Sequence, residues 1–283
     1  MQLLMIRIKT FLDLGLIECL SVLFYKIFTK LSIHPACFIK ADVPSPPFFQ
    51  ESRLSEVDLL PSSAWDDHSN LFSHLKVPLG TKPPQWLKNP LLVDGDDIRL
   101  VPWWKISDFN DSNGDIKLIW EQSRMNWAVI FAQRARNGDR YSLNRLNDWI
   151  SDWLTNNPPY LGPNWKCGQE ASIRVMNLCC AALILGQENN SLPGLQKLIK
   201  LHLRRISPTL HYAIAQNNNH GTSEAAALFI GGSWLTALGS GEGNKYESLG
   251  RKWLDNRAIK NLPNGYGVWE KLFTQIYRTE TKQ

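Results

Sequence analysis

A run of polar residues, Gln216-Asn217-Asn218-Asn219-His220-Gly221-Thr222-Ser223-Glu224, leads directly into the apolar segment Ala225-Ala226-Ala227-Leu228-Phe229-Ile230. The apolar segment is expected to be buried, and buried polar groups are costly unless they have partners. Asn and Ser favour helix starts because their side chains accept from free backbone N–H groups. A loop and first turn are therefore predicted over 217–223, with a helix from about Glu224. His220 and Glu224 would share one face of that turn, as parts of an elaborate helix cap or of a site for a polar ligand.

Composition limits the class of protein. The chain has 283 residues and is 43% hydrophobic, enough for one large domain or a main domain with a small appendage. Its 31 basic and 26 acidic residues are scattered without a Lys/Arg block, which argues against a nucleic-acid partner and is compatible with a polyanionic sugar. Five Cys do not suggest a disulfide framework. The twelve Trp suit either a core or a ring-binding cleft.

The N-terminal 31 residues are apolar but repeatedly interrupted by charges. No run approaches the roughly 18 to 20 residues of a membrane span, so no transmembrane segment is predicted, and no cleavable secretory signal is evident. Apolar residues at helical spacing predict an amphipathic helix, and they are Leu14, Ile17, Leu20, Leu23, Phe24, Ile27, Phe28 and Leu31. We expect this helix to dock on its own domain, with a membrane surface as the alternative.

Prolines and then a change of period divide the chain. Pro35, Pro44, Pro46 and Pro47 predict an extended linker, and a hairpin is predicted around Asp94-Gly95-Asp96-Asp97. Three regions follow: an N-terminal helix and Pro-rich linker over 1–47, an extended and hairpin lead-in over 48–113, and a helical domain over 114–283.

The helical domain shows a 3.6-residue period from Gly114 onward. Helices are predicted over about 116–135, 143–154, a segment after Gly162-Pro163, 195–206, a segment after the Asn-rich loop, and 245–258, with a flexible loop over 239–243. Antiparallel helix pairs joined by short loops predict a mainly all-α fold, built as a helical array or toroid.

Two Glu/Arg pairs at helical spacing, Glu121/Arg124 and Glu170/Arg174, stand beside indole-rich segments that include Trp120 and Trp165. They have two interpretations: helix-surface ion pairs worth roughly a few tenths of a kcal/mol, or residues that line a cleft. The six His do not form metal-ligand pairs, so no metal site and no cofactor are predicted.

A set of motifs in a fixed order resembles the heparinase II/III family. The motifs are Trp103-Trp104, Ile106-Ser107-Asp108-Phe109, Gly114-Asp115-Ile116-Lys117, Trp120-Glu121-x-x-Arg124, Asn157-Pro158-Pro159, Asn164-Trp165-x-Cys167-x-x-Glu170-x-x-x-Arg174 and Asn218-Asn219-His220-x-x-x-Glu224-Ala225. The resemblance implies an incomplete (α/α) toroid, followed in complete members by a β-sandwich domain. It also implies a polysaccharide lyase that cleaves uronate-containing glycans by β-elimination.

The resemblance further implies roles for individual residues. An Asn of the Asn-His loop, by position Asn219, would hydrogen-bond the uronate carboxylate, and a Tyr would remove the proton. Ile276-Tyr277-Arg278 is a faint echo of the segment that supplies this Tyr, so Tyr277 is the candidate, with Tyr266 as the alternative. The expected substrate-binding or loop-orienting residues are Asn218, His220, Glu224, Trp120, Glu121, Arg124, Trp165, Glu170 and Arg174.

The sequence departs from the family after the last predicted helix, because Gln283 follows too soon for a sandwich domain. We therefore expect a truncated form with impaired activity, and self-association through the surface that the missing domain would cover. The resemblance suggests a bacterial envelope or periplasmic setting, with the cytoplasm left open. Two other functions remain: a non-catalytic module for glycan binding or surface-polysaccharide assembly, and a helical-barrel glycoside hydrolase that uses two of Glu121, Glu170 and Glu224.

Overall fold

The computed structural model describes residues 15–51, 68–72, 74–92, 100–110 and 114–261. This part of the chain is mostly helical, which confirms the predicted all-α class. Its helices are α1 Leu16–Lys30, α2 Lys117–Ser123, α3 Asn126–Arg136, α4 Arg140–Asn156, α5 Gly168–Ile184, α6 Pro193–Ile206, α7 Leu210–Ala215, α8 Asn219–Ala237 and α9 Gly241–Asn261. The toroidal arrangement of these helices stays a prediction.

The predicted N-terminal helix is present as α1, but it packs in an unexpected orientation. Tyr25 stacks on Tyr212 of α7 with 3.8 Å between ring centroids, and Thr29 is buried. Most of the predicted apolar stripe, including Leu20 and Phe24, is exposed instead, whereas Phe28 is half-buried and Leu14 lies outside the described residues. Helix α1 thus packs on the helical body, as expected, but through the face opposite the predicted apolar stripe.

Strands are few and short among the described residues. β1 His68–Leu71 pairs antiparallel with β2 Leu75–Pro78, and β3 Phe109–Asn110 pairs with β4 Gly114–Asp115. The turn of the predicted hairpin, residues 94–97, lies outside the described residues. The β1–β2 pair was not predicted, because its four-residue strands are too short for a clear alternation of apolar and polar residues.

The first predicted helix of the body is two helices, α2 and α3. Met125 separates them with a left-handed backbone conformation, φ 62°, and its side chain is fully buried. An ordinary side chain rarely adopts this conformation, and here tertiary packing holds it. The apolar spacing continues across the break, so the sequence pattern did not reveal it.

Helices α4, α5 and α6 agree with the predicted segments. Asp139 caps α4 by accepting from the backbone N–H groups of Tyr141 and Ser142, and Pro193 is the first residue of α6, where a missing N–H costs nothing. The apolar faces of these helices form the centre of one core, with Leu146, Ile150, Trp153, Val175, Leu178 and Leu198 among its fully buried members.

Helices α8 and α9 form a close antiparallel pair. A Cβ at Gly232 or at Gly250 would collide with backbone atoms of the facing helix, so glycine permits the close approach. Gly241 is the first residue of α9. The prediction of a flexible loop over 239–243 is therefore wrong in its second half, where residues 241–243 form the first turn of α9 and Gly243 packs closely against Thr236 of α8.

Candidate functional site

A cavity of about 430 Å³ opens where α1, α7 and the start of α8 meet the segments that precede α2 and α5. It brings together residues that are far apart in sequence. Those able to contact a ligand include Tyr25, Lys26, Trp103, Trp104, Lys117, Trp120, Lys166, Cys167, Tyr212, His220 and Glu224.

The Asn-rich loop positions the start of α8 at this cavity. The Asn218 side chain accepts from the His220 backbone N–H at 3.0 Å, as expected of a helix cap. From α9, Arg257 donates to the Asn217 side chain and to the Asn218 carbonyl, each at 3.0 Å. Helix α8 therefore begins at Asn219, about one turn before the predicted start, and His220 and Glu224 both line the cavity.

Glu224 is a buried acid with an unused oxygen. Its side chain is 97% hidden from solvent, since the residue is 3% exposed, and its Oε2 has no hydrogen-bond partner among the described residues. Burial raises the pKa of this carboxyl to about 8, against a smaller opposing effect of Arg205. The protonated form therefore predominates at neutral pH. Gly168 leaves room for the carboxyl, because a Cβ there would overlap it.

Arg205 is close enough to affect Glu224, yet its donors are used elsewhere. Nε donates to the Trp165 carbonyl at 2.8 Å, and Nη2 donates to the Lys166 carbonyl at 2.6 Å. Its guanidinium lies 3.6 Å from the centre of the Trp103 ring, a favourable cation–π distance. Arg205 thus fixes the backbone before α5 and leaves the Glu224 oxygen without a charged partner.

His220 and Cys167 are neighbours in the cavity wall. His220 Nδ1 lies 3.8 Å from Cys167 Sγ. Burial lowers the pKa of His220, with Glu170 opposing and Lys117 adding to the effect. Burial, Glu224 and Glu170 together raise the pKa of the Cys167 thiol to about 12. Both groups are therefore neutral at pH 7, and the thiol is not an activated nucleophile.

Lysines and aromatic rings make up the rest of the cavity's chemistry. Lys117 lies 3.6 Å from Asp115, and Lys166 lies 2.8 Å from Asp108. Lys26 is exposed and has no ion-pair partner in the described part of the chain. The stacked Tyr25–Tyr212 pair and the Trp103–Trp104 pair add flat apolar surfaces. Such a cavity can attract an anion and stack a ring-shaped ligand.

The Glu121/Arg124 pair is part of a buried network rather than a surface ion pair. Arg124 binds Glu121 through Nη1, and it also donates to both oxygens of Glu170, at 2.8 and 2.9 Å. The second Glu121 oxygen accepts from the Phe72 backbone N–H at 2.9 Å. Both glutamates are buried, so the interpretation as solvent-exposed pairs is wrong.

Arg174 does not pair with Glu170 as the spacing suggested. It donates from Nε to His202 Nε2 at 2.9 Å and from Nη2 to the Asn164 carbonyl at 2.7 Å. Burial and Arg174 lower the pKa of His202 well below its usual value, so this ring is neutral and can accept the bond. Trp165 packs beside the same cluster and is fully buried. Arg174 and Trp165 therefore belong to the core.

The remaining predicted site residues have mixed placements. Trp120 lines the cavity and donates to the Pro163 carbonyl at 2.9 Å. Asn219 is exposed as the first residue of α8, beside the cavity-lining His220 but outside the lining itself. Tyr277 and Tyr266 lie outside the described residues.

Most residues of the site had no predicted role. Trp103, Trp104, Lys117 and Cys167 stand in the quoted motifs, and Lys166 lies within one of them, but none was assigned to the site. Four others were also missed, namely Tyr25, Lys26, Arg205 and Tyr212. They come from α1, α6 and α7, and no local motif marks them; the tertiary packing of these helices brings them to the Asn-rich loop. The described residues contain no group of three or more His, Cys, Asp or Glu side chains that could hold a metal ion, and no helix among them is long and apolar enough to span a bilayer.

Comparisons with protein-family models, with curated proteins and with solved structures found no match.

Proposed function

We propose that the cavity binds a uronate-containing glycan and that the protein acts on it as a lyase by β-elimination. One observation carries this proposal. The start of α8, with His220 and a protonated Glu224, lies in the same cavity as three lysines and several aromatic rings. The ordered motifs that resemble the heparinase II/III family support the same assignment.

The cavity chemistry suits an acidic sugar chain. Sugar rings present flat C–H faces that pack on Tyr and Trp rings, and Tyr25, Tyr212 and Trp104 offer such surfaces. Uronate carboxylates are attracted by Lys26 and Lys117 at the rim, where partial exposure keeps the lysines accessible. A protonated Glu224 can donate a hydrogen bond to an anionic oxygen, which an ionised glutamate would repel.

β-Elimination needs a proton acceptor and a donor near the uronate carboxylate. A base removes the proton from the carbon that bears the carboxylate, a double bond forms in the ring, and the glycosidic oxygen leaves and takes up a proton. Within the cavity, neutral His220 is suited to accept a proton, and Glu224 is suited to stabilise the enolate-like charge. Asn219 and Tyr277 stay predictions for the carboxylate donor and the base.

The test is ultraviolet absorbance of unsaturated uronate during incubation with acidic polysaccharides, including heparan sulfate, alginate and bacterial capsule. We expect a rise with one polymer for the wild-type protein and its loss in His220→Ala. Glu224→Gln keeps a neutral donor and should retain more activity than Glu224→Ala. The surface change Asp255→Asn on α9, outside the cavity lining, serves as the matched control. Equal rates in all four variants would rule out the assignment of this cavity.

A second candidate is glycan binding without turnover, and the placement of Asn219 favours it. Asn219 is exposed and outside the cavity lining, whereas the elimination mechanism needs an amide at the carboxylate. Isothermal titration with the same polymers separates the two functions. Binding that Glu224→Ala weakens, together with a flat absorbance trace, would establish the binding module.

A further inference from the structure

Helix α1 exposes its apolar face to solvent, whereas an ordinary surface helix buries that face. Seven large apolar residues lie on its solvent side and at its end, and all are exposed, from 45% for Ile27 to 78% for Ile17. We call this set the outer stripe: Leu16, Ile17, Leu20, Leu23, Phe24, Ile27 and Leu31. At 3.6 residues per turn these positions fall on one face, opposite the face that packs Tyr25 and Thr29 on the body.

The apolar surface extends beyond the outer stripe. Ile33, Phe38 and Val43, which follow α1 in the chain, are each at least half exposed. A groove of about 390 Å³ lies beside the stripe, with Ile17, Leu20 and Phe24 on one side and residues of α7 on the other. Scattered apolar residues are normal on a protein surface, whereas a whole helix face of large exposed apolar residues marks an interaction site.

Charge identifies the class of partner. Lys26 and Lys30 lie along one edge of the outer stripe, and both are exposed. The first 40 residues contain five basic residues, Arg7, Lys9, Lys26, Lys30 and Lys40, against Asp13 and Glu18. This segment thus carries +3 of the net charge of +5 for the whole chain. An apolar face with lysines at its edge is typical of a helix that lies in the interface of an anionic bilayer.

Other occupants fit the charge less well. In a two-fold dimer that pairs the two stripes antiparallel, Lys26 and Lys30 of one copy would lie beside the same positive edge of the other copy. The chain's own residues 262–283 carry three basic and two acidic residues, and so offer no net negative charge. We propose that α1 docks on an anionic lipid bilayer, with the outer stripe in the headgroup and acyl boundary and the lysines at the lipid phosphates.

This docking would hold the cavity beside the lipid surface, because Tyr25 and Lys26 of α1 also line the cavity. This docking does not depend on the glycan chemistry, since the exposed apolar residues and the basic residues near the N-terminus are sufficient for it. It also requires no membrane-spanning helix, because an interfacial helix lies in the plane of the bilayer.

The experiment is flotation of the full-length protein with phosphatidylcholine vesicles that contain or lack phosphatidylglycerol. We expect the protein to float with the anionic vesicles and to be released by high salt. Combined substitution of Leu20→Gln, Phe24→Gln and Ile27→Gln should weaken binding at least about tenfold, because each side chain loses its transfer into lipid. The matched control, Leu183→Gln with Ile230→Gln, removes two exposed apolar residues elsewhere and should bind like the wild type.

A single charge reversal provides an independent test in case the triple variant does not fold. Lys30 is exposed, and Lys30→Glu should leave the helical circular dichroism unchanged while it weakens vesicle binding at least about fivefold. Equal flotation with both kinds of vesicle, or unchanged binding by the triple variant, would overturn the proposal. A wild-type protein that floats with neither vesicle would also overturn it. Sedimentation equilibrium would then assign the stripe to a second copy, if the triple variant turns a dimer into a monomer, or otherwise to residues 262–283.

Discussion

Two glutamates of neighbouring helices, Glu170 on α5 and Glu224 on α8, are buried to the same extent, each 3% exposed. Glu170 accepts two hydrogen bonds from the guanidinium of Arg124. Glu224 has an oxygen with no hydrogen-bond partner among the described residues, and burial raises its pKa. The same residue type at the same depth is therefore an ion-paired structural group in one place and a protonated, available acid in the other.

The difference comes from where the nearest arginine directs its donors. Arg124 is the residue that follows α2 and precedes the left-handed Met125, and its guanidinium faces both Glu121 and Glu170. Arg205, whose charge lowers the pKa of Glu224 slightly, donates hydrogen bonds to backbone carbonyls instead. Burial alone thus does not determine the charge of an acid; the orientation of its potential partner does.

The largest expected effect is on stability at Glu170. Glu170→Ala leaves the partly buried Arg124 without its bidentate partner, and we expect a loss of about 2–3 kcal/mol in the free energy of unfolding. Urea denaturation at pH 7, followed by circular dichroism, measures it. Glu224→Gln, which removes no ion pair, is the comparison. If Glu224→Gln costs as much as Glu170→Ala, the proposed difference between the two glutamates is wrong.

The raised pKa of Glu224 should make the stability of the protein depend on pH. The folded-state pKa of Glu224 lies above the usual value of 4.5, so between pH 5 and 8 the folded protein holds a proton that the unfolded chain has released. Stability therefore falls as pH rises through this window, by up to about 1 kcal/mol per pH unit from this group. Urea midpoints of the wild type relative to Glu224→Gln should show this slope, because the variant lacks the titrating group. Parallel midpoints would contradict it.

Gly168 tests the space around the available acid. In Gly168→Ala, the added Cβ overlaps the Glu224 carboxyl, and we expect a loss of about 1–2 kcal/mol in unfolding free energy as the acid is displaced. Gly241→Ala is the matched control, since Gly241 also begins a helix and has open space around it. Thermal denaturation of both variants at pH 6 makes the comparison. Equal midpoints would show that Glu224 moves aside freely.

The smallest expected effect concerns the rim of the cavity. Lys117→Ala should weaken binding of an acidic polysaccharide about threefold, with more effect at low salt. An exposed charge is screened by salt and contributes more to the rate of association than to affinity. Lys197→Ala, on α6 and outside the cavity lining, is the control. Titration calorimetry at two salt concentrations measures both. A loss of binding equal in the two variants would assign the effect to net charge.

Much of the helical framework could be predicted from the sequence, because helix spacing and caps are local signals. The segments of α1, α4, α5 and α6 follow from apolar residues at 3.6-residue spacing and from turn residues at their ends. The break at Met125 and the early start of α8 could not be predicted. The first depends on packing of a buried side chain, and the second depends on Arg257 of α9, which holds the Asn-rich loop from a distant part of the chain.

The candidate site divides in the same way. The polar run that enters an apolar segment predicts His220 and Glu224, and the adjacent Glu121/Arg124 pair predicts Trp120. Arg174 was assigned to a pair with Glu170 by its spacing alone. In the structure Arg174 donates to His202 and Glu170 accepts from Arg124 instead, because helical spacing brings two residues near each other without excluding partners from other helices.

Local sequence signals predict that this protein is helical and that polar groups of the Asn-rich loop lie against a buried segment, because periodicity and capping act over a few residues. Contacts between distant parts of the chain fix which glutamate is ion-paired, which aromatic residues reach the cavity, and which face of α1 is left exposed. These features depend on distances between residues that are remote along the chain. No local pattern encodes such distances.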